Sequence, residues 1–256
     1  MLDRIALKAE AKSIVKSAAV SAYVFTLIYL AFLFVLDLIL EFATGATAAD
    51  LSMVLEMEIP FPTLGLSPLM VTFISILVSL ISMVLSTGYL IYHLGIRKNH
   101  TMPYATLFDG FAFVGKIIVL QIMIAVFTFL WSLLLFFPGI IAAYRYRYAL
   151  YNLCDNPQLS PSEALNMSKA QTRGYKWQLF VLDLSFLGWN ILCALTLGIL
   201  SIWIAPYIQQ TDVGFFEEIK RRSGIGYLPM EDGQFHRDDR FEQNSDTEPH
   251  AYDPER

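Results

Sequence analysis

The chain has 256 residues, 55% of them hydrophobic and only 16% charged, and its mean hydropathy is +0.50. These values exclude an ordinary soluble domain, which could not cover that much apolar surface, and point to a multi-spanning membrane protein. The formal charge of -5 misleads, because residues 223–256 carry nine carboxylates against three arginines and leave the rest of the chain close to neutral.

In chain order, residues 1–16 place Arg4, Lys8, Lys12 and Lys16 at four-residue spacing, a drifting stripe on one side of a helix. Such a stripe suits anionic lipid headgroups at a membrane surface, or it is an ordinary solvated helix, since Asp3 and Glu10 interrupt the apolar face. Residues 17–42 form a first apolar run with no charge before Asp37 and Glu41, long enough for about 30 Å of hydrocarbon. The run is about twice the length of a signal-peptide apolar region, so it reads as a span, not a cleaved leader. The loop that follows holds Asp50, Glu56 and Glu58 and no basic residue. Together with Asp37 and Glu41 it makes an acidic outer surface, explained by avoidance of positive charge outside, without a metal.

Residues 69–96 are a second span, with Ser75, Ser79, Ser82, Ser86 and Gly88 as small packing positions or back-bonded serines. An aromatic segment over 101–113 reads as interfacial and too short to cross. A third span covers 116–137 and ends at Pro138-Gly139, where proline suits the first turn of a new helix. The fourth span, 139–154, is only roughly 24 Å long, which implies local thinning or snorkelling by Arg145 and Arg147. Ser160-Pro161-Ser162-Glu163 is a capping box opening a polar elbow helix that should end at Gly174. A fifth span, 177–195, starts at the interface anchor Trp177. A sixth, 199–219, contains Pro206 and the polar run Gln209, Gln210, Thr211, Asp212, and is stopped by Lys220, Arg221 and Arg222.

The expected fold is therefore all-α and polytopic, with six transmembrane helices, short interfacial helices and a disordered acidic tail over 223–256. Lysine and arginine are absent between Lys16 and Arg97, between Lys116 and Arg145, and between Lys176 and Lys220. All basic residues thus fall at or near one side, and the positive-inside bias places both termini in the cytoplasm of a bacterial inner membrane.

Arg147 and Asp183 lie at matched depth on adjacent antiparallel spans, each roughly 10 Å from the end of its helix. Charges there are costly unless paired or wetted, so Asp183 is expected to pair with Arg147 or Arg145. Those two point about 200° apart and cannot share one helix face, which leaves Asp212 as partner for the second. Asn190, Gln209 and Gln210 should lie nearby. The cluster reads as a polar staple fixing the packing of three helices, or alternatively as an inward-facing cavity for an anionic or zwitterionic ligand. Tyr144, Tyr148 and Tyr151 share one face of the fourth span and suit aromatic packing, interface anchoring or the wall of that cavity.

No cofactor, metal or nucleic-acid partner is expected. Cys154 and Cys193 read as packing residues, and His93 has no second ligand beside it. Hydrolase, zinc-peptidase and phosphate-loop signatures are missing. Glu217-Glu218-Ile219-Lys220-Arg221-Arg222 is similar to the Glu-Glu-x-x-x-Arg pattern of glutamate-type intramembrane prenyl-protein proteases, but that family's histidines on other helices are not matched beyond His93. The chain is thus read as non-catalytic, a scaffold or accessory factor, with a ligand carrier as the alternative and a protease as a minor one.

Phe137-Pro138-Gly139-Ile140-Ile141-Ala142, Ser162-Glu163-Ala164-Leu165 with Ser168 and Gly174, Lys176-Trp177, Leu182-Asp183-Leu184-Ser185-Phe186 to Trp189, and Pro206-Tyr207 resemble a bacterial domain-of-unknown-function family, number 975. The resemblance runs over about residues 11–222, is most specific in the second half, and implies an integral membrane protein with no transferable catalytic residue.

Overall fold

The computed structural model describes residues 3–45, 64–134 and 136–226. All regular elements among them are helical. They are α1 (Arg4–Ser17), α2 (Ala22–Thr44), α3 (Pro68–Arg97), a 3-10 helix (Tyr104–Phe113), α4 (Val114–Leu134), α5 (Phe136–Tyr146), α6 (Ala149–Asp155), α7 (Pro161–Gln171), α8 (Lys176–Leu184), α9 (Leu187–Leu195) and α10 (Ser201–Ser223). The acidic tail from Tyr227 onward and the outer-loop residues Asp50, Glu56 and Glu58 lie outside the described residues.

Among the described residues, four stretches are long and apolar enough to cross a membrane: Ala22–Thr44, Pro68–Arg97, Tyr104–Leu133 and Lys176–Leu195. They match four of the six expected spans. The third begins earlier than expected, because the 3-10 helix that was read as a separate interfacial segment runs directly into α4. The other two expected spans differ from these four for separate reasons. Residues 139–154 are split between α5 and α6, and α10 carries too many polar groups along its length.

The split after Tyr146 is stabilised from outside the helix. Interrupting a helix leaves backbone groups without their usual partners, and in an apolar setting these must be satisfied elsewhere. Here Ser168 on α7 and Thr172, the residue that caps its end, supply them. The Ser168 hydroxyl donates to the Arg145 carbonyl at 2.9 Å and lies 3.2 Å from the Tyr148 amide, while the Thr172 hydroxyl donates to the same carbonyl at 3.4 Å. A similar interruption divides the fifth span, with Ser185 and Phe186 between α8 and α9.

The expected capping box is present. The Ser160 hydroxyl accepts from the Glu163 amide at 3.3 Å, and the Glu163 carboxylate accepts from the Ser160 amide at 2.8 Å and from its hydroxyl at 2.7 Å. These bonds, the backbone one first, hold the Glu163 carboxyl below its ordinary range. Beyond α7, Gly174 adopts φ +87°, the left-handed conformation that lets the chain turn into α8.

The serines of α3 behave as the sequence suggests. Ser75, Ser79 and Ser86 each donate to the carbonyl four residues earlier, and Ser86 also meets the Tyr29 hydroxyl on α2 at 3.0 Å. Gly88 has a tighter role, since a Cβ there would sit 2.0 Å from the Leu107 carbonyl oxygen. Gly110 also presses on α3, with the Val84 carbonyl oxygen 2.7 Å from its would-be Cβ. Two missing side chains thus let the 3-10 helix lie backbone to backbone along α3.

The core is organised around α10, whose residues 210–216 are all buried. Val213, Phe215, Phe216 and Ile219 pack with Leu7 of α1, Leu90 and Leu94 of α3, Tyr151 of α6, and Leu179 and Leu182 of α8. The apolar side of α1 (Leu7, Ala11, Val15) is therefore buried by protein, not by lipid or solvent. Lys8 donates to the Ser185 hydroxyl at 2.8 Å and sits over the Phe186 ring, and Glu10 pairs with Arg97 at 2.7 Å. α1 is a strap tying α3, the α8–α9 break and α10 together.

Gly88→Val is expected to destabilise the protein by about 3 kcal/mol or more, because the new side chain meets backbone that cannot yield. Thermal unfolding in detergent micelles measures this, with Gly115→Ala as a control, since a Cβ at Gly115 meets nothing within 4 Å.

Candidate functional site

The polar cluster forms around one arginine. Arg147 lies in the break between α5 and α6, so its side chain is free of the direction a continuous helix would impose. Its Nη1 donates to Asp183 of α8 at 2.6 Å, its Nη2 to Asp212 of α10 at 3.0 Å, and its Nε to the other oxygen of Asp212 at 3.4 Å. One planar guanidinium thus joins three helical segments, as its fixed fork of donors allows.

Three tyrosines complete the carboxylates. Tyr144 donates to Asp183 at 2.8 Å, Tyr148 to Asp212 at 3.1 Å and Tyr151 to Asp212 at 2.5 Å. Gln209 donates to the Tyr151 hydroxyl at 3.1 Å. The rings of Tyr148 and Tyr151 meet edge to face at 5.1 Å and turn their hydroxyls to Asp212, whereas Tyr144, before the break, packs against Phe180 and reaches Asp183. The Arg147 side chain is 26% exposed and that of Asp212 10%, whereas Asp183 is 38% exposed at the edge of the cluster.

Four expected residues are therefore assembled: Arg147, Asp183, Asp212 and Gln209. Three are not. Arg145 forms no ion pair among the described residues; its carbonyl, not its guanidinium, is held by α7. The expectation that it pairs with an aspartate fails because Arg147 reaches both, so the cluster has one positive and two negative side chains. Asn190 is exposed on α9, beyond the Ser185–Phe186 break. Gln210 faces away from Asp212 and donates to the His93 carbonyl of α3 at 3.0 Å. His93 itself is buried against the rings of Tyr89 and Tyr92. In the Glu-Glu-x-x-x-Arg stretch, Glu218 accepts from Arg221 and Arg222, and Glu217 lies 3.7 Å from Lys220.

Sequence reasoning missed a second ion cluster. Asp155, at the end of α6, accepts from Lys98 after α3 and from Lys220 of α10, the latter at 2.5 Å. Burial by itself would raise the Asp155 carboxyl, but the Lys220 and Lys98 ammonium groups outweigh it and hold the carboxyl below its usual 3.8. The available signal was that Asp155 and Glu163 are the only carboxylates between residues 139 and 182, in a stretch rich in cations. A buried amide pair was also missed: Asn152 and Gln171 exchange hydrogen bonds at 2.8 and 2.9 Å, fastening α6 to α7.

Residues 133–223 match the family described as Protein of unknown function (DUF975). That stretch of the chain is similar to DUF975. It contains Arg147, Asp183, Asp212 and their tyrosines, as well as the capping box and Pro138-Gly139, which lie within the first turn of α5 and not in the expected break between helices. The resemblance read over residues 11–222 is thus matched in its second half. No curated protein and no solved structure matches the chain.

Arg147→Met is expected to cost on the order of 3 kcal/mol, since it leaves two carboxylates without their cation, whereas Arg145→Gln should change stability by less than about 0.5 kcal/mol. Chemical unfolding of the two variants in the same detergent compares them directly. Asp155 gives a pH signature. Its folded pKa is depressed, so its contribution is complete above about pH 4 and fades as the pH falls through the folded value. Asp155→Asn should therefore lie well below the wild type in stability at pH 7, and the two should converge under acid. A gap unchanged from pH 7 to pH 3 would exclude this role.

Proposed function

We propose that this protein is a non-catalytic scaffold or accessory factor of the bacterial inner membrane, with the Arg147 cluster as its structural core. The observation that carries this reading is saturation. The arginine engages both carboxylates, each carboxylate takes at least one tyrosine hydroxyl, and no buried polar atom of these six side chains lacks a partner. A site kept for a ligand holds donors in reserve, and the buried donors and acceptors of this one are matched to each other. In the acidic helix end, Glu218 is occupied by Arg221 and Arg222, which supports a charged helix terminus over a protease centre.

In this reading the chain crosses six times and both termini are cytoplasmic. The Asp155 ion cluster supports that topology, because it gathers the ends of α3, α6 and α10 at one level, and Arg97 beside it receives α1 through Glu10. α5 packs back along α4, as the return limb of a hairpin would. Charge asymmetry then assigns this level to the cytoplasm.

The second reading, a carrier with its binding site at the cluster, is favoured by one observation: Asp183 is 38% exposed. The two readings differ in whether water reaches it from the cytoplasm. In a background lacking Cys154 and Cys193, Asp183→Cys is tested with a membrane-impermeant thiol reagent applied to inverted vesicles, with correct insertion checked by size-exclusion profile after extraction. The scaffold reading expects labelling at least about tenfold slower than at an exposed loop control. Labelling as fast as that control would establish a wet cavity and replace the scaffold with a carrier.

A further inference from the structure

The elbow between α5 and α8 has more positive charge than its own carboxylates can neutralise. Asp155 is held by Lys98 and Lys220, and Glu163 is closed on Ser160. Arg147 belongs to Asp183 and Asp212. Arg145, Lys169, Arg173 and Lys176 remain, and none of them has an ion pair among the described residues; Lys169 is turned to Asn166 and the rings of Phe127 and Tyr146.

Two of these cations are brought together by the fold. The Arg145 carbonyl is anchored to Thr172, one turn before Lys176, and the two positive charges lie within electrostatic reach of each other. Both side chains are half-buried, so water screens the repulsion incompletely. α8 opens at Lys176 with no side-chain cap, and the positive end of its dipole adds to the same potential. Arg173 is exposed at the edge. Like charges held side by side at a helix start make a place for an anion.

The surroundings specify what carries the anion. Trp177, the next residue, is 70% exposed and stacks on Phe180 at a centroid distance of 5.3 Å, at the start of the membrane-length stretch Lys176–Leu195. An exposed indole there marks the boundary between headgroups and hydrocarbon. Past it, Phe180 and Leu184 continue as exposed apolar surface along α8. The cation pair therefore sits at phosphate level, with a greasy track leading away from it.

We propose that Arg145 and Lys176, flanked by Arg173 and Trp177, form a binding site for the phosphate of an anionic phospholipid, whose acyl chains lie along α8. This accounts for the arginine that the Arg147 cluster leaves out. The site is separate from that cluster and stands whether the cluster is a scaffold core or a ligand cavity.

The test uses the full chain in nanodiscs made from phosphatidylcholine with a minor fraction of fluorescent phosphatidylglycerol, and reads retention of the labelled lipid by the protein after detergent exchange. Wild-type protein is expected to retain phosphatidylglycerol over labelled phosphatidylcholine by about tenfold or more, and Arg145→Gln with Lys176→Gln to bring that ratio close to one. Lys12→Gln with Lys16→Gln, on the solvent side of α1, should leave the ratio within about twofold. Should the α1 variant lose retention as fully as the elbow variant, the attraction is diffuse surface charge and the site is overturned. Equal retention of both lipids by the wild type overturns it as well. Displacement of the labelled lipid by millimolar inorganic phosphate would assign the cation pair to a soluble anion and would also overturn the lipid. Near-native unfolding of Arg145→Gln alone keeps the loss of retention separate from a loss of fold.

Discussion

A charge taken out of water has to be paired, and in this chain a single guanidinium does that for two carboxylates on two different helices. The shared Arg147 fixes where α8 and α10 stand relative to the α5–α6 break. Coulombic attraction strengthens as the dielectric falls, but so does the cost of desolvation, and such a group holds only when every oxygen and N–H has a partner. The tyrosine hydroxyls meet that condition for Asp212 and for one oxygen of Asp183, whose carboxylate lies at the exposed edge. They also explain why a helix as polar as α10 can stand at the centre of the core: its polar groups face partners, and Phe215, Phe216 and Ile219 fill the space between.

The apolar outline of the protein was legible because hydrocarbon thickness and helix rise leave little freedom over residues 22–44, 68–97 and 176–195. The capping box at Ser160 was legible because its chemistry is local. Arg147 with Asp183 was legible from matched depth alone. The assignment of Asp212 was not, because it rested on Arg145 and Arg147 belonging to one continuous helix. Once the helix opens between Tyr146 and Ala149, angles counted at 100° per residue no longer apply, and Arg147 reaches a position from which it serves both acids. Asn190 was misplaced for the same reason, lying beyond the break at Ser185. Gln210 shows a different limit. Composition places it beside Asp212, yet consecutive helical residues point about 100° apart, and Gln210 turns to α3.

The role of α1 could not be read from its own sequence. Its apolar residues are few and its charges irregular, which describes either a surface helix or a docked one. Only the partners decide: Arg97 receives Glu10, and the gap opened at Ser185 receives Lys8. Irregularity in the isolated helix is complementarity in the packed one.

The interruption between α5 and α6 also bears on the order in which the protein can be made. A hydrophobic segment released into lipid must satisfy its own backbone, yet here the Arg145 carbonyl and the Tyr148 amide find their partners on Ser168 and Thr172, which are synthesised later. Until α7 has folded back, these two backbone groups lack the partners they have in the finished structure. Folding of residues 136–155 and docking of the elbow are thereby coupled, since the break is satisfied only once Ser168 and Thr172 are in place.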